Sequence, residues 1–527
     1  MFIAPTVLPD DAATLQLILR AALAEIERLK QQIAGLQRNR FGRRSERLDD
    51  EAFQQGVEDL EQSLAEQEAK LDAVQSSAEK LAADAAARPH PRRSEPAQRN
   101  RGALPAHLPR VEVLIDVADK VCPCCGGTLH VIGEDRAEML DYVPAQLRVR
   151  VTRRPRYGCR ACEEAVVQAP APERPIDGGM ATEALLAHVL VNKYSDHLPL
   201  YRQAQIFARQ GVTLDRSTLC NWVGRACWWL APLHELILGS VLTSPKVFAD
   251  DTTLPVLDPG RGKTKTGRLW CYAVDNRPCC GPGHPAAAYM YSEDRKGEHP
   301  ALHLRRFRGL LQVDGYAGFG RLVADNADNA PQLAFCWAHV RRKFYDIHVA
   351  TRSPLAEQAL RRIAALYEIE ADIRGTPAEN RQSVRQQRSR PLVEAMHTWL
   401  TEQLECISGR STLAQAIRYA LNHWGGLILF LDDGRLELDT NTVERAIRPL
   451  ALGRKNALFA GSDNGGRHWA TVASLIQTAK LNDIDPLAWL TDVLERIVSG
   501  RTRRHELDTL LPWNWKAARA VEAPNTA

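Results

Sequence analysis

Between residues 246 and 337 strand-like segments follow one another in close order: KVFADDTTLPVL, RLWCYAVD, AAAYMYS, LLQVDG and QLAFCWA. Each is rich in β-branched, aromatic or small apolar residues and bounded by Gly, Pro or Asp, the pattern of short strands. Short helical patterns precede the fourth, at 300–308, and the fifth, near 317–325. Residues 338–430 are helical in pattern, and helical periodicity returns at 440–449 and 466–500. Strands clustered first, with helices between the last two and a long helical run after them, predict an α/β mixed sheet that carries a large helical addition.

Two of these strands end in acids. VFADDT places Asp250 and Asp251 on the first, and LLQVDGY places Asp314 where an apolar run meets a Gly-containing turn. Chemistry on phosphodiesters with two metal ions needs carboxylates at the ends of neighbouring strands, because Mg²⁺ takes hard oxygen ligands. An aspartate capping a turn has the same local appearance. Strand alternation sends Asp250 and Asp251 to opposite faces, so one of the two can join such a site and both stay open on pattern alone. A third acid, Glu444, begins the helix of NTVERAIRPLALGRKNALFAGSDNGG, four residues before Arg448. That spacing suits a surface ion pair, whereas Arg454 and Lys455 in the following Gly-flanked loop suit a grip on a phosphate backbone.

At 527 residues the chain exceeds what one hydrophobic core serves, so several domains are expected. The net charge of +4 says little about partners, but its distribution is blocky. Arginines crowd 37–47, including Arg43 and Arg44, as well as 88–102 and 148–160, while 49–84 is acidic. Leu15, Leu19, Ala22, Ile26, Leu29, Ile33 and Leu36 form a heptad that favours a parallel two-stranded coiled coil, and a second heptad run spans 57–81. Five prolines and many arginines at 88–110 predict an extended linker. Beyond it, Cys122/Cys125 and Cys159/Cys162 form two CxxC pairs, with 33 residues between the pairs. Two pairs favour a structural Zn²⁺ held by four thiolates, with no position left for a substrate. Cys124 is surplus.

The segment 200–226 reads as helix, turn, helix, with Arg216 in the first turn of the second helix where a recognition residue enters a major groove; a packed helix pair has the same pattern. Arg261, Lys263, Lys265 and Arg268 form a Gly-rich basic hairpin without the P-loop spacing, suited to backbone contact with DNA. In CWAHVRRKF, Cys336 and Trp337 are expected in the core. No stretch approaches the length of a membrane span, and the N-terminus lacks the features of a secretory signal. A cytoplasmic, nucleoid-associated protein with reduced thiols is therefore expected.

Read together, FGRRSE, CPCCGG with YGCRAC, FADDTTLPVLDPGRGKTKTGRLW, LQVDGYAGF, CWAHVRRKF and ERAIRPLALGRKNALFAGSDNGG resemble the TnpC-type transposases of bacterial insertion sequences, the IS sixty-six family, over nearly the whole chain. The resemblance implies a DDE enzyme with a ribonuclease H-like core. It implies Asp250, Asp314 and Glu444 as the acids holding two Mg²⁺ or Mn²⁺ ions, and a helical insertion among the 129 residues between the last two acids. The family usually reads Asp-Glu-Thr where this chain has Asp250, Asp251 and Thr252. It also places His339 beside the catalytic face, in a position to contact DNA, and suggests accessory proteins of the same element.

The expected organisation is a coiled-coil and basic region (1–87), a linker (88–110), a zinc-binding, DNA-binding module (111–175) and a helix-turn-helix-like segment (176–240). The catalytic core follows in two parts (241–345 and 436–475) around a helical insertion (346–435), with a helical C-terminal segment (476–527). The expected function is cleavage and transfer of DNA strands by a homodimer or larger assembly acting on transposon ends and target DNA. The alternatives are a zinc-dependent DNA-binding regulator without catalysis and a nuclease that cuts without joining.

Overall fold

The computed structural model of the chain describes residues 171–258, 263–324 and 330–522, the backbone of Arg156–Gly158 and Val166–Gln168, and Leu147, Val149 and Arg150. The chain divides into two units, Met1–Arg150 and Val151–Ala527, and nearly all that is described belongs to the second. The expected coiled coil and linker, Arg43, Arg44, the four paired cysteines and Arg261 lie outside the described residues. The strands Arg156–Gly158 and Val166–Gln168 pair antiparallel, Gly158 opposite Val166, and flank the stretch of sequence that holds the second CxxC pair.

The sheet has five strands: β1 (Lys246–Asp258), β2 (Lys263–Val274), β3 (Ala286–Ser292), β4 (Leu310–Val313) and β5 (Gln332–Phe335), in the order β3-β2-β1-β4-β5. The first three form an antiparallel meander, and β4 and β5 run parallel to β1. Val247, Phe248 and Ala249 are consecutive and all buried, so both faces of β1 are covered, as a strand with parallel neighbours requires.

Helices α1 (Glu183–Tyr194), α2 (Leu200–Arg209) and α3 (Arg216–Leu242) precede the sheet. The second helix of the helix-turn-helix-like pair is longer than its sequence signal: α3 runs on for 27 residues and buries Leu230, Leu233, Ile237 and Val241 in the core shared with the sheet. Between β5 and the end of the insertion lie α4 (Trp337–Thr351), α5 (Pro354–Ile373), α6 (Arg390–Cys406) and α7 (Thr412–Asn422). These helices bury a second apolar cluster of their own, centred on Trp337, Phe344, Ile363, Met396 and Leu400. The chain then returns through α8 (Asn441–Ala457), α9 (Asp463–Leu481) and α10 (Pro486–Val498), all packed into the sheet's core. The helical stretch expected at 466–500 is broken between α9 and α10, where Asp483 adopts a positive φ and Pro486 begins the next helix.

Edge strand β3 is covered by α9. The Tyr289 and Ala287 amides donate to Ser474 Oγ (2.8 Å) and Thr478 Oγ1 (3.2 Å), so two helix hydroxyls replace a missing neighbouring strand. No helix of the described residues is long and apolar enough to cross a membrane.

The insertion also contains a buried ionic network. Arg385 begins a π-helical turn, Arg385–Ser389, before α6, and its guanidinium pairs with both Glu370 oxygens at 2.7 and 2.6 Å. It also donates to the Phe430, Asp433 and Leu436 carbonyls. Arg381 joins Glu370 to Glu437 at 3.3 and 2.8 Å. Removing Arg385 leaves Glu370 with Arg381 as its one cation among the described residues and three carbonyls short of a donor, and breaking such a buried pair costs roughly 3–5 kcal/mol. Arg385→Ala should lower unfolding stability by that order in urea titrations, and a loss below ~1 kcal/mol would show that the network relaxes around the gap.

Candidate active site

The parallel register of β1 and β4 brings the first two acids together. Phe248 pairs with Gln312, so two residues further along each strand Asp250 and Asp314 stand level. In-register residues of adjacent parallel strands project from the same face, with backbones about 4.8 Å apart. Asp250 remains within β1, and Asp314 sits one residue past β4. The loop after it turns at Gly315, whose φ of +97° suits glycine, and an added Cβ would meet Tyr419 Oη at 2.8 Å. Tyr419, on α7, donates to the Asp314 carbonyl at 2.8 Å, and the Asp314 carboxylate accepts from the Tyr316 amide at 2.9 Å.

Glu444 arrives from the far end of the insertion because the sheet grips the returning chain. The buried Gln312 side chain donates to the Glu437 carbonyl (2.8 Å) and accepts from the Glu437 amide (3.0 Å). Lys246, fully buried at the start of β1, donates to the Arg435 carbonyl at 2.7 Å. Helix α8 then starts beside the acids and packs on β1 and β2. Its far end is tied to β1 by Arg454, which donates to the carbonyl and hydroxyl of Thr253, and by Leu257 and Ala460, which bond at 2.8 Å. In the first turn of α8, Glu444 accepts from Thr440 Oγ1 at 2.8 Å.

The electrostatics join the three acids. Burial raises the Asp250 carboxyl well above its ordinary range, and the charges of Asp314, Asp251 and Glu444 raise it further; the Asp251 amide, donating at 2.7 Å, opposes the shift. Among the described residues, none of the three acids has an ion-pair partner within 4.0 Å. Asp251 has the opposite environment. Its side chain is 1% exposed and lies 3.2 Å from Arg268 and 3.0 Å from Arg295. Burial raises its carboxyl too, but the two guanidiniums pull it back. Asp439, five residues before Glu444, is raised to about 6, by burial first and then by Glu444 and Glu437.

His339 lies in the first turn of α4 beside Glu444. Burial opposes its charge, but Cys336, Glu444 and Asp314 outweigh that and carry it up to about 10. Of the other cations singled out by sequence, Arg216 and Lys455 are exposed, Lys263 is exposed at the start of β2, and Arg448 is half-buried one turn beyond Glu444. Lys265 pairs with Asp463 at 2.9 Å, and Arg454 is turned inward onto Thr253. Arg268, read in the basic hairpin, pairs with Asp251 at 3.2 Å, and Gln312, Arg295, Tyr419 and Asp439 carry no local sequence signal. Their roles come from partners up to 125 residues away, as for Gln312 with Glu437.

Carboxylates that influence one another electrostatically, as Asp314 and Glu444 do Asp250, fit hard divalent ions, which take oxygen ligands and relieve the repulsion. A carboxyl whose folded pKa is raised stabilises the fold fully below its unfolded value, near 3.8, and that contribution is lost as pH rises through the folded value. At neutral pH without metal, Asp250 therefore opposes folding. Asp250→Asn should raise the stability of the protein at pH 7 without added divalent metal by on the order of 1 kcal/mol, and flatten the decline above pH 4. Added Mn²⁺ should raise the melting temperature of the parent chain much more than that of the variant. A variant less stable than the parent under metal-free conditions would refute the picture of a repulsive cluster.

Comparison with known proteins matches four segments. Residues 178–468 fit the family described as "Transposase IS66 family", and residues 119–163 fit "zinc-finger binding domain of transposase IS66". Residues 474–513 fit "IS66 C-terminal element", and 28–113 fit "Transposase C of IS166 homeodomain". The first range contains Asp250, Asp314 and Glu444, and the second contains all four paired cysteines. Uncharacterized protein y4jD of Sinorhizobium fredii is 52% identical over 430 residues, covering 81% of this chain and 84% of that protein. Uncharacterized protein y4qI of the same organism is 43% identical over 514 residues, covering 96% and 92%. With more than half its length inside one family profile, the chain belongs to the IS66 family of transposases.

Proposed function

We propose that the chain is the DDE transposase of an insertion sequence, binding the terminal repeats of the element and catalysing both cleavage and transfer of DNA strands. The observation that carries this reading is the level pairing of Asp250 with Asp314 across β1 and β4, with Glu444 electrostatically joined to Asp250. The strand order, an antiparallel three-strand meander extended by two parallel strands, supports a ribonuclease H-like core. Asp250, rather than Asp251, is the first acid, because Arg268 and Arg295 already neutralise Asp251.

Asp250, Asp314 and Glu444 would hold two Mg²⁺ or Mn²⁺ ions. Such ions, when bound, polarise the scissile phosphate and stabilise the entering and leaving oxygens of hydrolysis and of 3′-hydroxyl attack. The chain's own groups prepare the site. Arg268 and Arg295 keep Asp251 out of the cluster, Tyr419 fixes the Asp314 loop, and Gln312 with Lys246 sets the approach of Glu444. His339, cationic at neutral pH, offers a donor to a phosphate oxygen beside the acids. Exposed Arg216, Lys263 and Lys455, half-buried Arg448 and the basic Arg43, Arg44 and Arg261 are assigned to the DNA backbone, with Lys265 and Arg454 bracing the surface they share. Cys122, Cys125, Cys159 and Cys162 would hold a structural Zn²⁺ that folds the DNA-binding module, and the heptads at 15–36 would pair two chains.

The test is incubation of the full chain with DNA carrying the terminal repeats of its element, in Mg²⁺ or Mn²⁺. Cleaved ends and strand-transfer products are expected, and Asp314→Asn should lose both by at least a thousandfold, on the scale of removing a principal electrostatic group, while still binding the DNA. Nicks without joined products would support a nuclease, and binding without cleavage in the parent chain would support a regulator that has lost its chemistry.

A further inference from the structure

Glu444 faces two kinds of neighbour. Its charge raises the Asp250 carboxyl, and it also lies beside Cys336 and His339, where β5 runs into α4. One ligand atom each from Cys336, His339 and Glu444 lies within 4.8 Å of the other two. This is a donor set of sulfur, imidazole nitrogen and one carboxylate oxygen. Mg²⁺ avoids sulfur and demands near-octahedral oxygen ligation, whereas Zn²⁺, Co²⁺ and Cd²⁺ favour a tetrahedral mixture of thiolate and imidazole.

The dimensions are close to those required. Bonds of about 2.0–2.3 Å in a tetrahedral site put ligand atoms about 3.5 Å apart, so the three groups need to close by roughly an ångström at most. Cys336 is buried and immediately precedes α4, and the Trp337 amide donates to the Leu438 carbonyl at 3.0 Å, which fixes the backbone there. The Glu444 carboxylate already accepts from Thr440 at 2.8 Å, the kind of outer hydrogen bond that orients a metal-ligating carboxylate. Independently, His339 Nδ1 is buried and makes no hydrogen bond, an unusual state for a buried ring nitrogen that a ligated ion at the imidazole would help to explain.

We propose that Cys336, His339 and Glu444 form a seat for a thiophilic divalent cation such as Zn²⁺, and that an ion seated there withdraws Glu444 from the acid cluster and inhibits strand cleavage. The seat stands on the three side chains alone; the inhibition rests on the function proposed above. It makes Glu444 the shared ligand of two mutually exclusive sites, one hard and one soft.

The full chain is first loaded with Zn²⁺ at its zinc-finger segment and freed of excess, then titrated with Co²⁺. The parent chain should develop a thiolate-to-cobalt charge-transfer absorption that saturates at one Co²⁺ per chain, because an ion held only by the acids gives no such band. Cys336→Ser should abolish the band, and His339→Gln should weaken Co²⁺ affinity at least tenfold, with both variants keeping the parent's circular dichroism. No band in the parent, or the same band in Cys336→Ser, would overturn the seat. In Mg²⁺-dependent cleavage, micromolar Zn²⁺ should inhibit the parent at least tenfold more strongly than Cys336→Ser. Equal inhibition of the two would overturn the competition for Glu444. A chain with the cobalt band but no cleavage under any condition would keep the seat and remove both the inhibition and the transposase reading.

Discussion

The side chain of Gln312 bonds both backbone groups of Glu437, and the site depends on that junction more than on any other contact. It joins the centre of the sheet to a segment that returns after the helical insertion, seven residues ahead of Glu444. A buried amide that saturates a backbone N–H and C=O together is a stringent partner, because any other residue type leaves groups unpaired at about 1–3 kcal/mol each. Lys246 does the same for the Arg435 carbonyl, so adjacent strands β1 and β4 both hold the chain two positions apart. The long connection between the acids does not behave as a flexible loop, since its helices bury a core of their own. The ordering entropy is met within the insertion, and the closure at Gln312 adds precision to a piece that is already folded.

That rigidity is what allows like charges to be held together. Asp250 and Asp251 are neighbours in one strand and have opposite fates. One is raised by Asp314 and Glu444 and accepts from a backbone amide, while the other pairs with two guanidiniums. The difference comes from strand alternation combined with the register of the sheet. A module that only bound DNA would gain nothing from the repulsion in the first environment, whereas a site meant to gather cations gains affinity from it.

Much of the scaffold was legible in the chain's pattern. The five strands, the long helical insertion and Asp314 just past a strand end follow from periodicity and turn residues, because these are local properties, whereas Asp250 stands inside a strand that runs on to Asp258. The length of α3 was not legible, since Pro232 interrupts its helical pattern and the burial of its second half depends on the sheet. The break between α9 and α10 was obscured because 3.6-residue periodicity resumes almost in phase after Pro486. The different surroundings of Asp250 and Asp251 depend on Arg295, which lies 44 residues from Asp251. Lys265 and Arg454 look like free phosphate ligands in a basic, Gly-rich sequence, yet Asp463 and Thr253 meet them once α8 and α9 have docked. Cationic composition reports which residues can meet a phosphate, not which have already met a carboxylate or a carbonyl.

Cys336 shows the same principle from the other side. At the end of an apolar strand it reads as a small core residue, and by burial it is one. Its chemistry changes only because the Gln312 junction carries Glu444 back to the start of α4, where His339 already stands. The position that gives Glu444 access to the aspartates is thus the one that exposes it to a thiol and an imidazole. On the function proposed above, the acids beside β1 and β4 that would collect hard cations acquire, from the helix that follows β5, neighbours that favour soft ones. On the reading proposed above, which ion occupies Glu444 follows from ligand softness and cation supply.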